Sequence, residues 1–195
     1  MSTPDVDLLS NFAIRANAIR KRILGVAHKS QSPHVGSSLS CVEITLATYL
    51  SKQLSGNEGE TNSHVIFSKG HASLALYATL ENLGLIEPDQ LDTYNSNGSH
   101  FYGHVSKLAT DQIELTTGSL GHGLPFAVGL SMGDELSLKK NRSTFVIMSD
   151  GECDEGTTWE SALIASHFKL RNFYVVIDRN RLQSLEDTEK TLDCK

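Results

Sequence analysis

The stretch 144–180, TFVIMSDGECDEGTTWESALIASHFKLRNFYVVIDRN, decides the fold. It opens on a short unbroken apolar run, TFVIMS, which suits a parallel strand covered on both faces. Asp150 and Gly151 follow as a turn, and ECDEGTTWESALIASHFKL reads as a helix. NFYVVIDRN then reads as a second buried strand. Strand, helix, strand in this order is a βαβ unit, which implies a parallel sheet with a right-handed crossover. The fold class is α/β, a parallel sheet flanked by helices.

Chemistry in such a sheet is expected beyond the carboxyl ends of its strands. Asp150 and Gly151 end the first strand, and Asp178, Arg179 and Asn180 end the second. Neighbouring parallel strands lie roughly 4.8 Å apart, so Asp150 and Asn180 should emerge side by side. A carboxylate, an amide oxygen and backbone carbonyls form a hard oxygen site, suited to Mg²⁺ when phosphate oxygens complete its shell. Gly151 would let a phosphate approach the backbone closely. The same residues also serve as a helix cap and a turn, and the pair alone leaves both readings open.

Outward from this unit, the chain alternates helices with Gly- and His-bearing turns. Leu8, Phe12, Ile19 and Ile23 recur at helical spacing and predict a helix over about 5–29. SQSPHVGSS breaks it. Ser40, with Glu43 three residues on, reads as the capping box of a second helix, CVEITLATYLSKQL. GNEGETNS is a polar loop and HVIFS a short strand. SKGHAS then turns into a helix with Gly84 as its C-cap. After a short helix at PDQLDTY comes NSNGSHFYGHV, a long irregular stretch of the kind that usually carries function. TTGSLGHG leads into a further helix. Trp159 reads as a core residue.

Composition narrows the function classes. The 195 residues suit one domain with a sizeable core. Seventeen Lys and Arg against 23 Asp and Glu give a net charge of −6, which argues against nucleic acid as the partner. Cys41, Cys153 and Cys194 show no C-x-x-C spacing, so neither a disulfide framework nor a structural zinc site is expected. Cys41 lies in an apolar run and reads as a buried small hydrophobe. The N-terminus lacks the order of a signal peptide, and no apolar stretch approaches the roughly 20 residues that span a bilayer. A cytoplasmic protein with no membrane partner is expected. Fifteen glycines cluster beside His, Ser and Asp and call for a chemical reason.

That reason comes from the motifs taken together. The span from SDG to Asn180 resembles the thiamine diphosphate signature, which begins GDG and ends in Asn after one βαβ crossover. SPHVGSSLS, SKGHAS, YGHV and TTGSLGHG, in this order, resemble transketolase over about residues 10–185. The resemblance implies that Asp150, the Asn180 side chain and the Leu182 carbonyl ligate Mg²⁺ or Ca²⁺. It implies that Gly151 and Asn180 contact the diphosphate, and that Gly118, Ser119 and Leu120 line the cofactor through backbone groups. Glu152 is placed among the cofactor-binding residues, while its charge, with that of Glu155, also suits a helix N-terminus. His71 is assigned to the diphosphate region, and His34 and His104 to the sugar hydroxyls and to proton transfer. Singly, each has an ordinary reading: His34 in a turn, His71 at a helix start, His104 in an exposed loop.

The resemblance further implies transfer of a two-carbon ketol unit from a ketose or ketose phosphate to an aldose. It places residues 1–195 as the diphosphate-binding domain, shortened at its C-terminal end. A pyrimidine domain is then expected on a separate C-terminal subunit, in an α₂β₂ assembly. His122 stands where the family usually has Gln, Ser119 where Pro is common, and Ser149 in place of the first Gly of GDG. These departures point to a specialised relative. Two alternatives are the α-subunit of a 2-oxo-acid dehydrogenase or synthase, which shares the GDG…Asn signature, and a non-catalytic scaffold of the same fold.

Overall fold

A computed structural model describes residues 6–54, 63–137, 142–183 and 186–192, with side chains described from residue 11 onward and as far as 52 in the first segment. Most of the expected polar loop at 56–63, and Cys194, lie outside the described residues.

Helix α1, Val6–Ser30, matches the expected span. Ala16, Ile19, Ile23, Val26 and Ala27 lie on one buried stripe of it, at helical spacing. The stripe packs on α4, Ser73–Asn82, and on α3, Val42–Leu54. Two ion pairs fasten the rim: Arg22 chelates Glu81, and Arg20 chelates Glu43. Cys41 is fully buried, and burial pushes its thiol up to about 11.

Around Pro33 the chain reverses through two residues in the left-handed region, Gln31 at φ 50° and His34 at φ 64°. That conformation is uncommon for residues other than glycine and tends to mark a functional or strained site. A one-and-a-half-turn helix α2, Val35–Ser40, follows, and Cys41 separates it from α3. The capping box expected at Ser40 is therefore absent. Ser40 closes α2 instead, and its hydroxyl points to the strand ends, while Glu43 is held by Arg20. Tertiary partners outcompete the local cap.

Strands β1 (His64–Phe67), β2 (Thr144–Ser149) and β3 (Phe173–Asp178) form a parallel sheet in the order β1-β2-β3. The register aligns Phe67 with Ile147 and Ser149 with Asp178. Alternation divides the core. Val65, Phe67 and Ile147 face α1, α3 and α4, whereas Ile66, Val146 and Met148 face α6, Gly123–Leu136. Between α4 and α6 run Gly84, in the left-handed conformation that closes α4, the short helix α5 (Pro88–Leu91), and the irregular segment 92–122.

Two expectations are corrected on the β3 side. β3 pairs only with β2 among the described residues, so it is an edge strand: Tyr174, Val175 and Ile177 are 41–48% exposed. Helix α7, Gly156–His167, likewise turns Leu163 and Ile164 to solvent. Trp159 is 58% exposed and is not core; its indole donates to the Cys153 carbonyl. With Val175, Ile177 and Met148 it lines an apolar cavity of about 280 Å³. The apolar run of β3 reports a strand built for burial, but among the described residues Tyr174, Val175 and Ile177 are covered only in part. Past β3 a hairpin, β4 (Leu182–Gln183) and β5 (Glu186–Asp187), brings the short helix α8 (Thr188–Thr191) back to the strand ends.

Candidate active site

The three parallel strands β1, β2 and β3 end at one edge of the sheet, and the segments that leave them meet there. Ser68 and Lys69 follow β1, and a 3-10 turn, Gly70–Ala72, carries His71. Gly70 is a contact point. A side-chain carbon there would lie 2.7 Å from the Thr117 carbonyl group and 2.8 Å from the Gly118 nitrogen. Only glycine lets these backbones touch. Val105 N donates to the Gly70 carbonyl, Thr117 N to the Val105 carbonyl and the Thr117 hydroxyl to the Phe67 carbonyl. The YGHV and TTGSLGHG motifs are thus laced to the end of β1, and His104 comes to lie against Gly118.

This lacing gathers the three histidines. The His34 ring is 5.6 Å from His71 and 5.9 Å from His104, edge to face in both pairs. Burial, then the neighbouring Lys69 charge and the other imidazoles, holds His71 down at about 4, against a smaller opposing pull from Asp150. Burial and His104 lower His34 as well. His71 is therefore neutral near pH 7 and can both donate and accept a hydrogen bond.

Asp150 sits next to this cluster and is only 5% exposed. Its Oδ1 accepts from Gly151 N at 3.1 Å; its Oδ2 accepts from Arg181 N at 3.1 Å and from the Thr188 hydroxyl at 2.8 Å. The strand ends meet as their spacing requires. Asn180 Oδ1 accepts from Leu182 N at 2.9 Å, and its Nδ2 donates to Ser40 Oγ at 3.4 Å. No group of three or more His, Cys, Asp and Glu poised for a metal ion occurs among the described residues. The side-chain oxygens that these strand ends present are those of one carboxylate, Asp150, and one amide, Asn180. This all-oxygen set fits Mg²⁺ or Ca²⁺ that shares its shell with phosphate, not a metal that needs imidazole or thiolate.

Gly118 and Ser119 are exposed and Leu120 is half-buried, so their backbone is available to a ligand. Gly121, at φ 75°, turns the chain into α6. His122 is exposed, and its ring lies 3.0 Å from the Leu120 carbonyl. Glu152 takes a different position from the other assigned residues. It is fully buried, and its carboxylate accepts from the Ser68 hydroxyl, Gly121 N at 3.2 Å, Ser149 N at 2.8 Å and the Ser149 hydroxyl at 3.2 Å. Glu152 ties the β1 end, the glycine loop and the β2 end together beneath the site. Ser149, where the signature has Gly, supplies two of those donors.

Sequence reasoning did not single out Lys69, Ser40 or Thr188 as parts of the site. Lys69 stood inside SKGHAS and could have been noticed as a cation entering a buried strand end. Thr188 carried no signal, because only the hairpin brings it back to Asp150.

A family model described as "Transketolase, thiamine diphosphate binding domain" matches residues 13–193. The chain belongs to this family. Among curated relatives, an apulose-4-phosphate transketolase subunit from Phocaeicola vulgatus is 38% identical over 176 residues, covering 89% of this chain and 62% of its own length. The 6-deoxy-6-sulfo-D-fructose transketolase subunit of a Clostridium species is 37% identical, covering 94% of this chain and 66% of its own. The chain therefore spans a little under two thirds of the length of these relatives. Among solved structures, transketolase from Campylobacter jejuni superposes with a TM-score of 0.79 at 26% identity, over 91% of this chain and 29% of that one. Transketolase from Leishmania mexicana gives 0.77 at 27% identity, over 88% and 28%. The transketolase resemblance read from the motifs, and the α/β fold it implied, are borne out.

Proposed function

We propose that this chain is the N-terminal subunit of a split, thiamine diphosphate-dependent transketolase that moves a two-carbon ketol unit from a ketose or ketose phosphate to an aldose. The observation that carries the reading is the convergence of His34, His71 and His104 beside Asp150 at the strand ends. The apulose-4-phosphate and sulfofructose relatives are themselves named as subunits, which supports the split and favours a specialised sugar.

When bound, thiamine diphosphate supplies the electron sink for carbanion chemistry. Asp150, Asn180 and the Leu182 carbonyl would hold Mg²⁺ at its diphosphate, with Gly151 and the backbone of Gly118, Ser119 and Leu120 beside it. The chain's own contribution is orientation and proton handling. His71, neutral at working pH, donates to or accepts from an oxygen on the diphosphate side. His34 and His104 face the space where donor hydroxyls would lie, and a neutral imidazole there takes or returns a hydroxyl proton. Glu152 acts through the loops it ties together rather than on the ligand.

The pyrimidine half of the cofactor site is assigned to a second, C-terminal subunit, with two pairs forming an α₂β₂ assembly. The open apolar faces of β3 and α7 support a setting in which more polypeptide packs there. Residues 1–195 constitute the diphosphate domain in this reading. A cytoplasmic location accords with sugar-phosphate chemistry; no helix among the described residues is long and apolar enough to cross a membrane.

The test is reconstitution with a second chain carrying a pyrimidine domain, followed by assay with a ketose phosphate and with pyruvate as donors. Ketol transfer from the ketose phosphate, seen only with both chains, is expected. Turnover of pyruvate instead would select the 2-oxo-acid alternative, and robust transfer by the lone chain would overturn the split. Failure to bind thiamine diphosphate would leave the scaffold.

A further inference from the structure

We infer that Lys69 is a positioning residue: through its buried pair with Asp178 and the Ser40 hydroxyl between them, it sets the Asn180 amide at the cofactor site. The inference rests on the proposed thiamine diphosphate site. Lys69 is fully buried, and the Asp178 side chain is only 7% exposed. The Lys69 ammonium has three hydrogens and three acceptors: Asp178 Oδ2 at 2.5 Å, the Ser37 carbonyl at 3.0 Å and Ser40 Oγ at 3.2 Å. Its hydrogen-bonding capacity is complete and its charge is matched, so it is not a free cation for phosphate.

Ser40 is the relay. Its oxygen lies 2.6 Å from Asp178 Oδ2 and 3.0 Å from the Ser37 carbonyl, and one hydroxyl hydrogen can serve only one of them well. The carboxylate contact is shorter and charge-assisted, so it takes the hydrogen. The two lone pairs then accept from Lys69 Nζ and from Asn180 Nδ2 at 3.4 Å. Nδ2 held in this way, together with Oδ1 accepting from Leu182 N at 2.9 Å, fixes the plane of the amide whose Oδ1 is the proposed metal ligand.

Position along the chain makes the link specific. Lys69 lies two residues before His71, and Asp178 two residues before Asn180. The pair therefore joins the segment that carries an imidazole of the site to the segment that carries the amide. These segments leave β1 and β3, which are not neighbours in the sheet, since β2 lies between them. The end of α2, through Ser37 and Ser40, is strapped to the same pair. A buried ion pair is seldom needed for stability, because an apolar pair of similar volume does as well or better. What an apolar pair cannot do is present a hydrogen-bonding relay to Asn180.

The experiment uses the chain reconstituted with its pyrimidine-domain subunit. Binding of thiamine diphosphate is measured by calorimetry over a range of Mg²⁺ concentrations, beside the unfolding midpoint without cofactor. The Lys69→Met/Asp178→Leu double variant should unfold within a few degrees of wild type, yet bind the cofactor at least tenfold more weakly and need more Mg²⁺. Ser40→Ala, which keeps both charges and removes the relay hydroxyl, should weaken binding several-fold while lowering the midpoint by only a few degrees, so the inference stays testable even if the double variant does not fold. Wild-type binding that Ser40→Ala leaves unchanged would overturn this inference alone. No binding by the wild-type complex would overturn the functional proposal, and this inference with it.

Discussion

Glu152→Ala tests how the site is supported. In the folded chain the carboxylate accepts from two buried backbone amides, Gly121 N and Ser149 N, and from the hydroxyls of Ser68 and Ser149. Truncation leaves both amides without a partner, while the hydroxyls can rotate towards other acceptors. A buried donor left unsatisfied costs about 1–3 kcal/mol, so the two amides together cost about 2–6 kcal/mol. A domain of this kind is stable by only about 5–15 kcal/mol, and at about 2–4 °C per kcal/mol the midpoint should fall by about 4–24 °C. Urea unfolding of the full chain measures the loss directly. Glu152→Gln is the control: it keeps the shape and one good acceptor but turns an NH₂ towards one of the two amides, so roughly half the alanine effect is expected. An alanine variant within about 1 kcal/mol of wild type would refute the supporting role and return Glu152 to the ligand-contacting residues.

Other expectations concern the glycines, the histidines and the rim. Gly70→Ala drives a carbon against the Thr117 and Gly118 backbone; the loop must shift, so lower stability and altered His104 chemical shifts are expected by NMR. Gly36→Ala, where a side-chain carbon meets nothing within 4 Å, should leave those shifts in place. His71 should titrate near 4 in the folded chain, against 6.5 for a free imidazole. The unfolded chain then binds a proton that the folded one refuses, so stability is full above about pH 6.5 and declines as pH falls towards 4. His71→Gln should flatten that part of the stability profile. Arg22→Ala removes a chelating pair from a half-exposed rim, and a loss of about 1 kcal/mol, smaller in high salt, is expected from denaturant midpoints.

What could be read in the sequence was whatever depends on neighbours along the chain or on the regular geometry of a parallel sheet. Asp150 and Asn180 had to emerge together because β2 and β3 pair in parallel, and Arg181 N bonded to Asp150 bears this out. The histidines could be gathered only by resemblance, since nothing local says that a turn at 34, a strand end at 71 and a loop at 104 share one pocket. Ser40 shows where local rules yield. Its capping box was good by spacing, but Asp178 and Lys69 are stronger partners than a helix N-terminus. Trp159 and β3 were misplaced for one physical reason. Apolar character reports what a residue requires in its complete setting, and the described residues leave that face open. Glu152 was assigned to the cofactor and to a helix N-terminus, and its burial could not be read locally because it depends on Ser68 and Gly121, distant in sequence.

Equilibrium dialysis of thiamine diphosphate against the chain with its pyrimidine-domain subunit, with and without Mg²⁺, addresses the central claim most directly. Mg²⁺-dependent binding that Asp150→Ala abolishes is the predicted result. Binding that is absent, or that is indifferent to both Mg²⁺ and Asp150, would contradict the account.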